Sequence, residues 1–171
     1  MNAELINDSV IVDDERLANS LHSKGFIGTL EKAKLELSSV EALYLLNKEK
    51  IKIFKAGKEL TEKEFSKIFS KKDKRFMIKY KVFSDLRDNG FIVKTALKYG
   101  FDFRIYDKGA TIGDEHAIWL IYCVGQNDSL SITDYSKLIR VCHSVKKKML
   151  LGIVDDESDV TYFESSWTKM K

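Results

Sequence analysis

Between Phe101 and Met149 the chain carries a phenol, an imidazole and an ammonium in Tyr106, His116 and Lys147, three side chains that do not make up a usual metal-ligand set. Tyr106 closes the alternating run Phe101-Asp102-Phe103-Arg104-Ile105, and His116 opens the apolar run Ala117 to Val124. Lys147 ends a helical pattern that also holds Arg140 and His143. A phenol and an imidazole can each carry a proton, while an ammonium is a compact fixed charge. Those types suit cleavage of a phosphodiester whose nucleophile is already present, as it is in the 2′-hydroxyl of RNA. One group takes the hydroxyl proton, another protonates the departing 5′-oxygen, and the cation faces the charge on the phosphorane. Each proton-transfer partner is worth roughly 10²- to 10⁴-fold in rate. No step of that scheme calls for a metal or other cofactor.

Taken singly, each residue also has a plainer reading. Tyr106 would be an amphipathic surface tyrosine. His116 would be a structural histidine in front of a buried strand. Lys146-Lys147-Lys148 would be a solvated helix end, where cations suit the helix dipole. Of the three histidines, His22, His116 and His143, both His116 and His143 stand open as acid–base groups. Asp114-Glu115-His116 matches the spacing of no strong metal motif.

The elements that must position these groups follow from periodicity. Strands are expected over Phe91–Val93, Phe101–Tyr106, His116–Val124, Met149–Val154 and Val160–Phe163. The third is apolar on both alternating faces and should be a central strand covered on two sides. In the Phe101 run, Phe101, Phe103 and Ile105 should share a buried face, which turns Tyr106 out of the core at the strand end. A helix over about Thr133–Lys146 places Tyr135, Leu138, Ile139, Cys142 and Val145 on one stripe. Arg140, His143, Ser144 and Lys147 fall on the opposite stripe. Asp155-Asp156-Glu157-Ser158-Asp159 makes an acidic turn between the last two strands.

Upstream, Ser38-Ser39-Val40-Glu41 and Thr61-Glu62-Lys63-Glu64 fit capping boxes that open two helices, with a short strand over Ile51–Phe54 between them. Val82, Phe83 and Leu86 suggest a short helix stopping at Asn89-Gly90. The charged break Ser70 to Arg75 divides the chain into an N-terminal α+β domain, 1–75, and a C-terminal domain, 76–171. The class is α+β: a small N-terminal α/β domain, then a mixed sheet with flanking helices.

Composition bounds the rest. The chain has 171 residues, 44% of them hydrophobic and 32% charged, as in a soluble globular protein. Its net charge of +3 permits a nucleic-acid partner without demanding one. The longest apolar run is far too short to span a bilayer. Met1-Asn2-Ala3-Glu4 lacks the start of a signal peptide, so a cytoplasmic location is expected. Cys123 and Cys142 lie in apolar patterns and are expected to be reduced and buried.

The order of these segments resembles the archaeal tRNA-splicing endonucleases. Ser38-Ser39-Val40-Glu41-Ala42-Leu43-Tyr44-Leu45-Leu46 is similar to that family's LSxxEAxYLL helix. Val82 to Gly90, with Ser84-Asp85-Leu86-Arg87, is similar to its Y-x-D-L-R-x-x-G segment. Leu97-Lys98-Tyr99-Gly100-Phe101-Asp102-Phe103-Arg104-Ile105-Tyr106-Asp107-Lys108-Gly109 resembles LKFGADFRVYxxG. Glu115-His116-Ala117-Ile118-Trp119-Leu120 resembles the histidine strand. Arg140-Val141-Cys142-His143-Ser144-Val145-Lys146-Lys147-Lys148 resembles RxAHSVRKK. Five such pieces in order cover most of the chain.

The resemblance implies that family's catalytic fold, related to restriction endonucleases, and a metal-independent endonuclease. Its substrate would be precursor tRNA, cut at bulge-helix-bulge motifs to leave 2′,3′-cyclic phosphate and 5′-hydroxyl ends. It assigns Tyr106 as base, His116 as acid and Lys147 as the cation, with Lys146 one residue away as the alternative. A phenol ordinarily titrates near pH 10, so a tyrosine base would gain from a cation beside it. Arg140 matches an arginine that stacks on a bulged base, with Trp167 or Lys169 as candidate partners. Asp155, Asp156, Glu157 and Asp159 match an assembly loop that docks into a neighbouring subunit, although Ser158 stands where glycine is common. The assembly implied is a homotetramer of the single-unit catalytic type. A catalytic subunit needing a different structural partner, and a non-catalytic RNA-binding or scaffold subunit, remain as alternatives.

Overall fold

The structure, a computed structural model, describes residues 2–96, 100–110 and 116–170. The Leu97-Lys98-Tyr99 part of one motif and the pair Asp114-Glu115 lie outside the described residues. Two compact units divide at Tyr80 and Lys81. They contain five helices and two mixed sheets among the described residues, an α+β protein.

The N-terminal unit is built from β1 (Asn2–Ile6), β2 (Ser9–Val12), α1 (Glu15–Gly25), β3 (Thr29–Glu31), β4 (Lys34–Leu37), α2 (Ser39–Asn47), β5 (Lys52–Lys55), β6 (Lys58–Leu60) and α3 (Glu62–Lys72). Its sheet runs β3-β4-β2-β1-β5-β6, with β1 parallel to β5 and its other pairs antiparallel. Strand alternation turns Ala3, Leu5, Val10, Val12, Leu35, Leu37, Ile53 and Leu60 inward. Both capping boxes form. Thr61 Oγ1 accepts from Glu64 N at 3.2 Å, while Glu64 Oε2 accepts from Thr61 N at 3.0 Å. Glu41 is buried because its carboxylate accepts from Ser38 N, Ser38 Oγ and Gly28 N, at 2.9, 2.7 and 2.8 Å. Gly28 has φ +70, and a Cβ there would sit 2.7 Å from the Glu36 carbonyl oxygen. Only glycine fits that turn.

The chain passes between the units through α4 (Phe76–Asp88). The C-terminal unit adds β7 (Ile92–Thr95), β8 (Phe103–Tyr106), β9 (Trp119–Gly125), α5 (Ile132–Ser144), β10 (Lys148–Val154) and β11 (Val160–Ser165). The sheet order is β11-β10-β9-β8-β7, so β9 is central, as its two apolar faces require. One face is covered by α5, where Leu120, Met149, Cys142, Phe101 and Ala96 form a core. The other faces α4: Phe83 meets Phe103 with ring centroids 5.7 Å apart. A Cβ on Gly152 would lie 3.0 Å from Ile121 Cδ1 and 3.3 Å from Val82, so glycine lets α4 approach β10. On that face the Tyr162 hydroxyl donates to Asp85 at 2.6 Å. Burial, reinforced by the Asp85 carboxylate, pushes this phenol well above its usual range.

Several elements differ from the expectations. The helix α3 runs to Lys72, because Lys71 and Lys72 suit a helix C-terminus. The charged break therefore shrinks to Asp73–Arg75, and α4 starts at Phe76 rather than near Val82. The strand β8 starts at Phe103, after a bend at Asp102. There Asp102 N donates to the Ile121 carbonyl at 3.0 Å, and its carboxylate accepts from Cys123 N at 2.8 Å. That bend sends Phe101 to the α5 face and Phe103 to the α4 face, so the two do not share one. Both cysteines are buried thiols outside any disulfide. No helix among the described residues is long and apolar enough to cross a membrane.

Candidate active site

The sheet topology brings Tyr106, His116 and Lys147 to one end of three adjacent strands. β8 runs antiparallel to β9, and β9 runs parallel to β10. The last residue of β8 and the residues entering β9 and β10 therefore share a sheet end. Register fixes the detail. Ile105 pairs with Trp119, and Ile118 N donates to the Ile105 carbonyl at 2.8 Å, so Tyr106 comes opposite Ile118. On the other side Lys148 pairs with Trp119, and Lys148 N donates to the Ile118 carbonyl at 3.0 Å. The short segment from His116 to Ile118 thus has Tyr106 on one flank and Lys147 on the other. Two strand spacings put those flanking backbones about 10 Å apart.

Each side chain is presented differently. Tyr106 is 6% exposed, so it is covered at the strand end instead of leaving the core. Alternation gives the face a residue takes, and here Ala110 and Ala117 are buried at the same end. His116 is exposed. Lys147 is not on the helix: α5 ends at Ser144, Val145 caps it, and Lys146 turns through a left-handed φ of +55. The polar stripe therefore stops before Lys147, which instead extends along the sheet end. Its Nζ donates to the Ala117 carbonyl at 2.8 Å, next to His116. Lys146, the alternative lysine, is exposed on the turn.

His143 lies elsewhere. It stays on the outer surface of α5, where the Trp167 ring lies tilted against it at 4.7 Å between centroids. Trp167 is half exposed, and Arg140 is exposed one helical turn away. The acidic turn is held by Asp155. Its carboxylate accepts from Glu157 N at 3.0 Å and from Asp159 N at 2.8 Å, and its carbonyl accepts from Ser158 N at 3.1 Å. Ser158 has φ +74, which is why a glycine would suit it. The side chains of Asp156, Glu157 and Asp159 are exposed on a turn that Asp155 builds.

One feature of this end went unread in the sequence. Phe91, which precedes β7, meets Trp119 edge to face at 6.1 Å and 88°. Trp119 Nε1 donates to Glu164 at 2.8 Å, and Glu164 also pairs with Lys148 at 3.0 Å. The Trp119 hydrogen bond and then Lys148 hold the Glu164 carboxyl below its usual range. The two aromatic positions, far apart in sequence, carry no joint signal until β7, β8 and β9 are paired.

Comparison with known proteins agrees with this architecture. The family model for the tRNA intron endonuclease catalytic C-terminal domain matches residues 76–162, and that for the N-terminal domain matches residues 1–66. A tRNA-splicing endonuclease of Thermococcus onnurineus is 42% identical over 166 residues, covering 97% of this chain and 95% of that protein. One from Pyrococcus furiosus is 42% identical over 96% of this chain and 95% of its own length. One from Methanothermobacter thermautotrophicus is 35% identical over 99% and 98%. With both domain models matched in order and relatives aligned over nearly their full length, the chain belongs to the tRNA intron endonuclease family, and its C-terminal unit is the catalytic domain of that family.

Proposed function

We propose that this protein excises introns from precursor tRNA by metal-independent transesterification at bulge-helix-bulge motifs, leaving 2′,3′-cyclic phosphate and 5′-hydroxyl ends. Tyr106 takes the proton of the 2′-hydroxyl. His116 protonates the departing 5′-oxygen. Lys147 faces the charge that develops on the phosphorane; one of its three N–H groups is spent on Ala117, which leaves two for the phosphate. Arg140 stacks on an extruded base, with Trp167 beside it, and the turn around Asp156 docks into another copy to build a homotetramer. The observation that carries the reading is the His116–Ile118 segment, flanked by Tyr106 and by a lysine tied to its backbone.

The test is single-turnover cleavage of a bulge-helix-bulge RNA. Wild type should cut at both bulges and spare the same RNA with 2′-deoxynucleotides at the cut sites, because the nucleophile is then gone. His116→Ala should slow cutting by roughly 10²- to 10⁴-fold. Undiminished activity of His116→Ala would remove His116 as the acid.

A further inference from the structure

We propose that Lys108 is a phosphate-binding residue for the RNA strand beside the scissile bond, held in place by an aromatic seat; this rests on the reading of the chain as an RNA endonuclease. Lys108 follows Tyr106 by two residues, so it stands at the same sheet end as His116 and Lys147. It is exposed, and its loop is closed locally: Ala110 N donates to the Asp107 carbonyl at 3.3 Å, and the Asp107 carboxylate accepts from Lys108 N at 2.8 Å.

The side chain is also placed. Its Nζ lies 5.0 Å from the centroid of the Phe91 ring. Its stem runs past Gly90, with Cδ 3.8 Å from where a Cβ would be. Phe91 is backed by Trp119, which Glu164 anchors from β11. A chain of fixed contacts thus crosses the sheet and ends on one lysine. Ordinarily an exposed lysine loses much rotamer freedom when it binds, and a ring face removes part of that cost beforehand. Neighbouring cations are differently committed: Lys148 is paired with Glu164, and Lys147 donates to Ala117. Among the described residues, no carboxylate forms an ion pair with Lys108. An ammonium with this placement, at the end of the sheet where the phosphodiester is cut, matches a phosphate as a point charge.

The experiment measures binding of the 2′-deoxy-blocked bulge-helix-bulge RNA across a series of KCl concentrations. Each phosphate neutralised adds about 0.7–0.9 to the slope of log K against log salt. Lys108→Ala should reduce that slope by about one such contact and weaken binding several-fold. Lys108→Arg should keep the wild-type slope. Phe91→Leu should keep the slope as well but bind more weakly, since the charge remains and its seat is lost. A merely structural role for Lys108 would alter affinity without altering the slope. Equal slope and affinity for Lys108→Ala and wild type would overturn the phosphate contact while leaving the endonuclease reading intact. Failure of the wild-type chain to bind the RNA would overturn that parent reading and this inference with it.

Discussion

A hydrogen bond to a backbone carbonyl fixes where a lysine stands whatever its sequence neighbours are. Lys147 is fixed in this way on Ala117, while Lys146, one residue earlier, projects to solvent from a left-handed turn. Lys147→Ala should therefore lower kcat by about 10²- to 10³-fold, the scale of losing one preorganised donor at a developing charge. Lys146→Ala should leave kcat near wild type. Single-turnover rates separate the two, and equal losses would mean that the turn as a whole, and not one ammonium, matters. The residue types proposed for the site can be picked out of the sequence because a phenol, an imidazole and an ammonium have limited chemistry in common. How Tyr106 is covered was not legible, since alternation names a face and not what packs on it. The place of Lys147 was hidden for a similar reason: helical spacing carried the pattern through Val145 and Lys146, where the backbone leaves the helix.

At the level of elements, the helix α3 shows how much a cap contributes. The Glu64 carboxyl is held down at about 2, first by the Lys58 ammonium and then by the Thr61 backbone N–H and hydroxyl. Its folded value lies below its ordinary one of 4.5. The stabilisation is therefore complete above the ordinary value and is lost as pH falls from there toward 2. Glu64→Gln should melt at a lower temperature than wild type at pH 7, and the gap should close between about pH 4.5 and pH 2. A gap that stayed constant across that range would assign the effect to packing instead of to the charged cap. Both capping boxes were readable, as were β9 and α5, because long periodic runs and paired Ser/Thr–Glu spacings are strong local signals. The strands β1 to β4 and the helix α1 were not read. The strands have five residues or fewer, and β3 and β4 carry Glu and Lys at their exposed positions. Their sheet is assembled by pairings distant in sequence, such as β1 with β5, which no local window contains.

For the whole molecule, the acidic turn bears on assembly through a division of labour. Asp155 spends its carboxylate on the backbone of its own turn, whereas Asp156, Glu157 and Asp159 are exposed. The triple substitution Asp156→Asn, Glu157→Gln and Asp159→Asn should lower the mass in solution while the subunit melts as before. An unchanged mass would remove the turn from the interface. Domain order and class could be read from the sequence, because five segments resembling one family fell in sequence along the chain. The two compact units meet at Tyr80 and Lys81, inside α4. The central claim is that side chains alone cut the RNA, using its own 2′-hydroxyl. It is tested most directly by incubating the purified chain with a bulge-helix-bulge RNA in excess chelator and identifying the new ends. Cleavage at an undiminished rate, with 2′,3′-cyclic phosphate and 5′-hydroxyl termini, is the predicted result; cleavage that stops with the chelator, or yields a 5′-phosphate, would contradict it.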